Sequence, residues 1–148
     1  MLSQKAKYAL KAMLALAEQK SGELLQAGDI AEGQNVPRKF LELILLDLRR
    51  QGLVQSQRGK HGGYALAKPA DAITFGEIIR IMDGPLAPIP CASLTGYRRC
   101  VDCVDEKGCA IRRAMREVRD AAAAILDGLT LEEACGASAS RAQAVLTD

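Results

Sequence analysis

Four of the five cysteines in this 148-residue chain fall within nineteen positions, at Cys91, Cys100, Cys103 and Cys109. Eight, two and five residues separate them in turn. Thiolates are soft donors, and four of them suit an iron–sulfur cluster (2Fe-2S or 4Fe-4S) or a tetrahedral zinc. Cys100-x-x-Cys103 also has the spacing of a dithiol redox couple, which needs no metal, so a site with no cofactor stays open. Arg98, Arg99, Arg112 and Arg113 flank the segment, and positive charge beside a thiol is expected to lower its pKa. Cys135 stands apart and reads as a packing residue.

Composition narrows the setting. The chain is 49% hydrophobic, with two Phe, three Tyr and no Trp, and much of its apolar content is Ala and Leu, which favours helices over sheets. Lys11 and Glu18 interrupt the apolar N-terminal stretch, so it lacks the h-region of a signal peptide. No apolar run approaches the roughly 20 residues of a membrane span. The expected location is cytoplasmic, with no membrane partner, and in a reducing compartment clustered cysteines read as ligands or redox switches rather than structural disulfides. The net charge of +2 conceals an asymmetry. Residues 36–68 carry seven basic and two acidic groups, whereas residues 69–148 carry nine basic and twelve acidic ones. Positive charge gathered in one third of a chain suits a phosphate-binding surface.

The elements that must position these groups follow from periodicity. Ser3 can cap a first helix over 3–19, in which Ala6, Ala9, Leu10, Met13, Leu14, Leu16 and Ala17 form an apolar stripe. A short second helix fits Ala27 to Gln34. Pro37 suits the first position of a third helix, which buries Leu41, Ile44, Leu45 and Leu48 and stops at Gly52. Strand-like segments Leu53–Gln57 and Tyr64–Ala67 then flank the basic, glycine-rich tip Arg58-Gly59-Lys60-His61-Gly62-Gly63, the pattern of a β-hairpin wing. Thr74-Phe75-Gly76-Glu77 reads as a capping box for a helix to Asp83. A loop with Pro85, Pro88 and Pro90 leads into the cysteines. A long helix over 109–127 carries Ile111, Met115, Val118, Ala122, Ile125 and Leu129 at alternating spacings of four and three, a coiled-coil-like seam suited to a second copy. Thr130 starts a last short helix.

The expected fold class is therefore mainly α with a small β-hairpin wing: a winged helix-turn-helix plus a long dimerisation helix. Its expected divisions are a DNA-binding domain over 1–68, a linker helix and cysteine-rich sensor loop over 69–108, a dimerisation helix with the short terminal helix over 109–135, and a flexible tail over 136–148.

In order along the chain, Lys7-Tyr8-Ala9-Leu10, Ile30-Ala31-Glu32, Phe40-Leu41-Glu42 and Leu48-Arg49-Arg50-Gln51-Gly52-Leu53-Val54 precede the wing Arg58-Gly59-x-x-Gly62-Gly63-Tyr64-x-Leu66 and the cysteine segment. With this ordered set, residues 1–135 resemble the IscR/NsrR/RirA/CymR family of bacterial winged-helix regulators. The resemblance implies a homodimer on a two-fold symmetric, double-stranded DNA operator. It implies that the start of the third helix enters the major groove, placing Lys39 and Glu42 at base edges or phosphates with Arg38 beside them, although Glu42 could instead simply pair with Lys39 or Arg38. Arg58 would reach the minor groove, with Lys60 and His61 beside it at the wing tip. Leu43 and Leu46 depart from the polar residues seen nearby in the family, and either contact thymine methyls or extend the core.

The resemblance further implies an iron–sulfur cluster on Cys91, Cys103 and Cys109, sensing iron, nitric oxide, oxidants or cluster supply. Cys100 is additional and could be the fourth ligand. Arg112 stands where some relatives place a ligand histidine, and Lys5 and Lys7 stand where others have an acidic ligand. The alternatives are a cluster-free regulator governed by thiols, zinc or a partner protein, and an iron–sulfur carrier, for which a basic wing has no use. A single histidine and no nucleophile–base pattern speak against an enzyme.

Overall fold

The computed structural model describes residues 2–137. Helix α1 (Gln4–Ala17) begins at Ser3, whose hydroxyl accepts from the Ala6 N–H at 3.0 Å. The Ser3 N–H also donates to Asp83 at 3.0 Å, which ties this cap to the end of a later helix. Helix α2 (Ala27–Gln34) ends on Asn35 in the left-handed conformation, and Lys11 of α1 donates to the Gln34 carbonyl at 3.1 Å. Helix α3 (Arg38–Arg50) starts after Pro37 and turns Leu41, Ile44, Leu45 and Leu48 into the core.

Strands β1 (Val54–Gln57) and β2 (Gly63–Leu66) pair antiparallel in the register Val54↔Leu66 to Gln57↔Gly63. A further bridge, Leu25↔Tyr64, adds a third strand-like segment through hydrogen bonds of 3.0 and 2.7 Å, an element the sequence did not announce. That bridge explains Gly63: a Cβ there would lie 2.6 Å from the Leu25 carbonyl oxygen. Three helices followed by this hairpin make a winged helix-turn-helix, as the periodicities indicate.

The core does not close at residue 68. Helix α4 (Phe75–Asp83) packs on α1, and Ile73, Ile78, Ile79 and Leu131 join the same buried cluster as Met13, Ile30 and Ile44. Only half of the expected capping box forms at its start. The Thr74 hydroxyl accepts from the Glu77 N–H at 3.2 Å, but the Glu77 carboxylate turns to Lys68, 3.1 Å away. The complete box lies further on: Thr130 and Glu133 satisfy each other's N–H groups at 3.1 and 3.2 Å, opening the helical residues 131–137. Positions 136 and 137 of the expected tail therefore continue a helix, and 138–148 lie outside the described residues.

Helix α5 (Ala110–Gly128) starts one residue later than expected because Cys109 is its N-cap. It packs on α4 and on the short turn Pro90–Ala92 that carries Cys91. Among the described residues, no helix is long and apolar enough to cross a membrane.

Candidate nucleic-acid interface and cysteine loop

The outer face of α3 and the wing form one basic surface. Lys39 is exposed, and its side chain makes no hydrogen bond or ion pair among the described residues. Arg38 pairs with Glu42 at 3.1 Å, one helical turn on, and both remain largely exposed. Arg58, Lys60 and His61 are exposed at the wing tip, where the Lys60 carbonyl accepts from Gln26 Nε2 at 3.3 Å. The tip turns tightly: a Cβ on Gly62 would meet the Gln57 carbonyl oxygen at 2.0 Å. The sequence reading missed Arg49, whose guanidinium donates to the Ser56 hydroxyl at 3.0 Å. That bond links α3 to β1. Its only sequence signal is that Arg49 begins the dipeptide just before the hairpin.

Leu43 and Leu46 are exposed, at 62% and 36%, so they do not extend the core. Phe40 is also exposed, but it turns toward α1 and meets the Tyr8 ring edge-on, with centroids 6.4 Å apart. Lys5 of α1 pairs with Asp47 of α3 at 3.0 Å on that same side.

The cysteine segment is arranged differently. The Cys100 thiol donates to the Cys91 sulfur across 3.7 Å, and all five cysteines are free. Cys91 is buried and Cys100 exposed, so the pair spans the loop from inside to surface. Cys109 uses its sulfur to accept from the Arg112 N–H at 3.4 Å. Cys103 is held through its backbone: its N–H donates to the Cys100 carbonyl at 3.3 Å, and its own carbonyl accepts from Arg99 at 3.4 Å.

Of the flanking arginines, Arg99 and Arg112 bond to backbone carbonyls of the loop. Arg112 Nε donates to the Cys91 carbonyl at 2.9 Å while its terminal nitrogen pairs with Glu106 at 3.4 Å. Arg119, the one buried residue of α5, donates to the Ala92 carbonyl and pairs with Asp120 at 2.6 Å. These guanidinium groups hold the backbone instead of the sulfurs. The pKa of the Cys100 thiol is raised above its ordinary value. Its hydrogen bond to Cys91 is the largest cause, followed by desolvation and then by Cys91, Asp102 and Cys109 as negative neighbours. The expectation of a lowered pKa fails at this thiol.

As donors, the four thiols have the softness that zinc or an iron–sulfur cluster needs. The Cys91–Cys100 separation also matches one edge of a tetrahedral thiolate site, about 3.8 Å for metal–sulfur bonds of about 2.3 Å. The match stops at two donors: among the described residues, no group of three or more His, Cys, Asp or Glu side chains is placed to hold a metal ion.

A family model described as Rrf2, iron-dependent transcriptional regulator, matches residues 2–137. An Rrf2-like HTH-type regulator of Rhodobacter capsulatus is 46% identical over 136 residues, which is 90% of this chain and 91% of that one. The HTH-type regulator CymR of Bacillus subtilis is 35% identical over 132 residues, covering 89% and 87%. The solved structure of CymR, the global cysteine regulator of B. subtilis, superposes with a TM-score of 0.75 at 34% identity, covering 92% of this chain and 96% of that one. The relatives are named as transcriptional regulators, not enzymes.

Proposed function

The chain belongs to the Rrf2 family of transcriptional regulators, and on that premise we propose that it is a homodimeric DNA-binding regulator whose operator affinity follows the state of Cys91 and Cys100. The observation that carries the reading is the 3.7 Å contact between these sulfurs, in a loop bonded directly to α5.

DNA binding draws support from Lys39, Arg50, Arg58 and Lys60, exposed cations on the third helix and wing of a winged helix. Arg38 and Glu42 enter this reading as a pair that can open toward phosphates and base edges, and His61 as a neighbour of the phosphates. Dimerisation draws support from α5, whose seam residues Ile111, Val118 and Ile125 are exposed at 67%, 49% and 68%. A three–four apolar seam left in water favours a second copy of the same helix.

The sensing step needs an oxidant, and a hydroperoxide suffices. Two thiols lose two electrons and two protons to form the Cys91–Cys100 disulfide, while the peroxide O–O bond is reduced to an alcohol and water. The sulfurs, 3.7 Å apart, must close by about 1.7 Å to reach a bonding distance of about 2.0 Å. Cys91 sits in the turn whose carbonyls Arg112 and Arg119 hold, so this movement pulls on α5 and hence on the spacing of two reading heads.

A second reading, an iron–sulfur cluster or zinc on Cys91, Cys100, Cys103 and Cys109, is favoured by the donor chemistry and by the tetrahedral-edge spacing of the first pair. A cluster would supply an iron- and redox-dependent cross-link of the loop. In that case the turn over Pro90–Ala92 and the N-terminus of α5 would hold the first and last donors.

One experiment separates the readings. Protein purified anaerobically is assayed for iron, zinc and visible absorbance, then treated with hydroperoxide and mapped without reduction. The thiol reading expects a colourless protein that forms a Cys91–Cys100 cross-link with altered DNA binding, and expects both the cross-link and the altered binding to be lost in Cys100→Ser. Coloured, iron-bearing protein that bleaches in Cys91→Ser, Cys103→Ser and Cys109→Ser supports the cluster. DNA binding indifferent to every one of these treatments would exclude both.

A further inference from the structure

Helix α3 turns an apolar pair, not a polar one, to the centre of its outer face. At about 3.6 residues per turn, positions 39, 43, 46 and 50 fall along one line opposite the buried line of Leu41, Ile44, Leu45 and Leu48. The outer line therefore reads Lys39, Leu43, Leu46, Arg50. Both leucines are exposed, at 62% and 36%, while on the side toward α1 Phe40 meets Tyr8 and Asp47 pairs with Lys5 and, at 4.0 Å, with Arg50. On the other side, Arg49 is committed to Ser56 and Arg38 to Glu42. The two side chains at the centre of the reading face thus offer methyl groups and no hydrogen-bonding atom.

Resting on the DNA-binding reading above, we propose that Leu43 and Leu46 are specificity-determining residues that read the C5-methyl groups of thymine in the major groove. The charge around them selects the partner. Lys39 and Arg50 end the line, Arg58 and Lys60 stand on the adjoining wing, and the surface suits a polyanion rather than an apolar protein. Within the major groove of unmodified DNA the one apolar feature of a base edge is the thymine methyl. A leucine pair at the centre of the face favours adjacent thymines and leaves guanine and adenine edges without a bidentate donor there. Lys39 and Arg50 then hold phosphates on either side and set the register.

The test uses the full chain and a randomised duplex pool. Duplexes enriched by the protein are expected to carry thymine at matching places in both half-sites. Each is then remade with deoxyuridine at those positions, which removes only the methyl groups. Affinity is expected to fall about fourfold for each methyl lost from contact. Leu43→Ala, at an exposed position, is expected to keep its melting temperature and to bind the thymine and uracil duplexes alike. Leu46→Ala repeats the measurement independently.

Equal binding of thymine and uracil duplexes by the unaltered protein overturns the assignment and leaves DNA binding standing. The same result follows if both variants keep the full thymine preference. A change of oligomeric state in Leu43→Ala would place protein, not DNA, on the leucines and also overturn it. Failure to enrich any duplex removes the DNA-binding reading itself, and this inference with it.

Discussion

Arg112 donates from Nε to the Cys91 carbonyl at 2.9 Å, so the residue that begins the α5 surface also fixes the turn holding the first cysteine. Seven positions later, Arg119 repeats the contact on the Ala92 carbonyl. The two guanidinium groups lie on one face of α5 and grip consecutive peptide carbonyls.

Arg119→Met is expected to destabilise the fold by about 1–3 kcal/mol, because it keeps an apolar stem but removes the guanidinium and orphans the buried Ala92 carbonyl. Urea denaturation monitored by circular dichroism measures this. A loss under a few tenths of a kcal/mol would mean that water replaces the guanidinium without cost.

Met115→Lys combined with Val118→Lys is expected to give a folded monomer, since Val118 is half exposed and no charge can be accommodated across a two-fold helix seam. Light scattering after size exclusion reads the outcome. A folded double variant that remains dimeric would move the interface off α5.

Lys39→Ala and Arg58→Ala are each expected to weaken operator binding and to lower the slope of log affinity against log salt by about one. Titrations at several salt concentrations check both. An unchanged slope in both variants would separate these cations from phosphate contact.

Arg80 and Asp127 form a two-pronged ion pair between α4 and α5, at 2.6 and 2.9 Å. The hydrogen bond from Arg80 holds the Asp127 carboxyl below the usual carboxylate range. A carboxyl depressed in the folded state stabilises the fold above its unfolded pKa of about 3.9, and that contribution disappears as pH falls below it toward the folded value. Both side chains are nearly half exposed, so the effect is expected to stay under about 1 kcal/mol. Asp127→Asn should flatten this part of the acid limb in urea midpoints measured from pH 6 downward. An unaltered acid limb would show that the pair contributes nothing.

Most of the fold was legible locally. Ser3, Thr74 and Thr130 mark helix starts because capping depends on the few atoms that follow each of them, whereas Pro37, expected as the first helical residue, stands one place before α3 with no side-chain cap. The α3 stripe and the glycine-rich wing were equally clear, since burial period and turn geometry are short-range properties. The Leu25 bridge was not, because a single bridging residue leaves no alternation to detect. Nor was the reach of the core past residue 68, because Ile73, Ile78 and Leu131 enter it only once α4 has folded back on α1.

The candidate site divides in the same way. By itself the sequence determined which residues could act: four clustered thiols, a basic third of the chain, and leucines at 43 and 46 between cations. Only the tertiary structure decided that Cys91 meets Cys100 rather than Cys103 in direct sulfur contact, and that Arg112 and Arg119 serve backbone carbonyls instead of thiols. It likewise decided that Leu43 faces outward. The physical reason is range. Propensity and capping act over one helical turn, whereas a sulfur–sulfur contact or a guanidinium's choice of acceptor depends on where separate segments come to rest against one another.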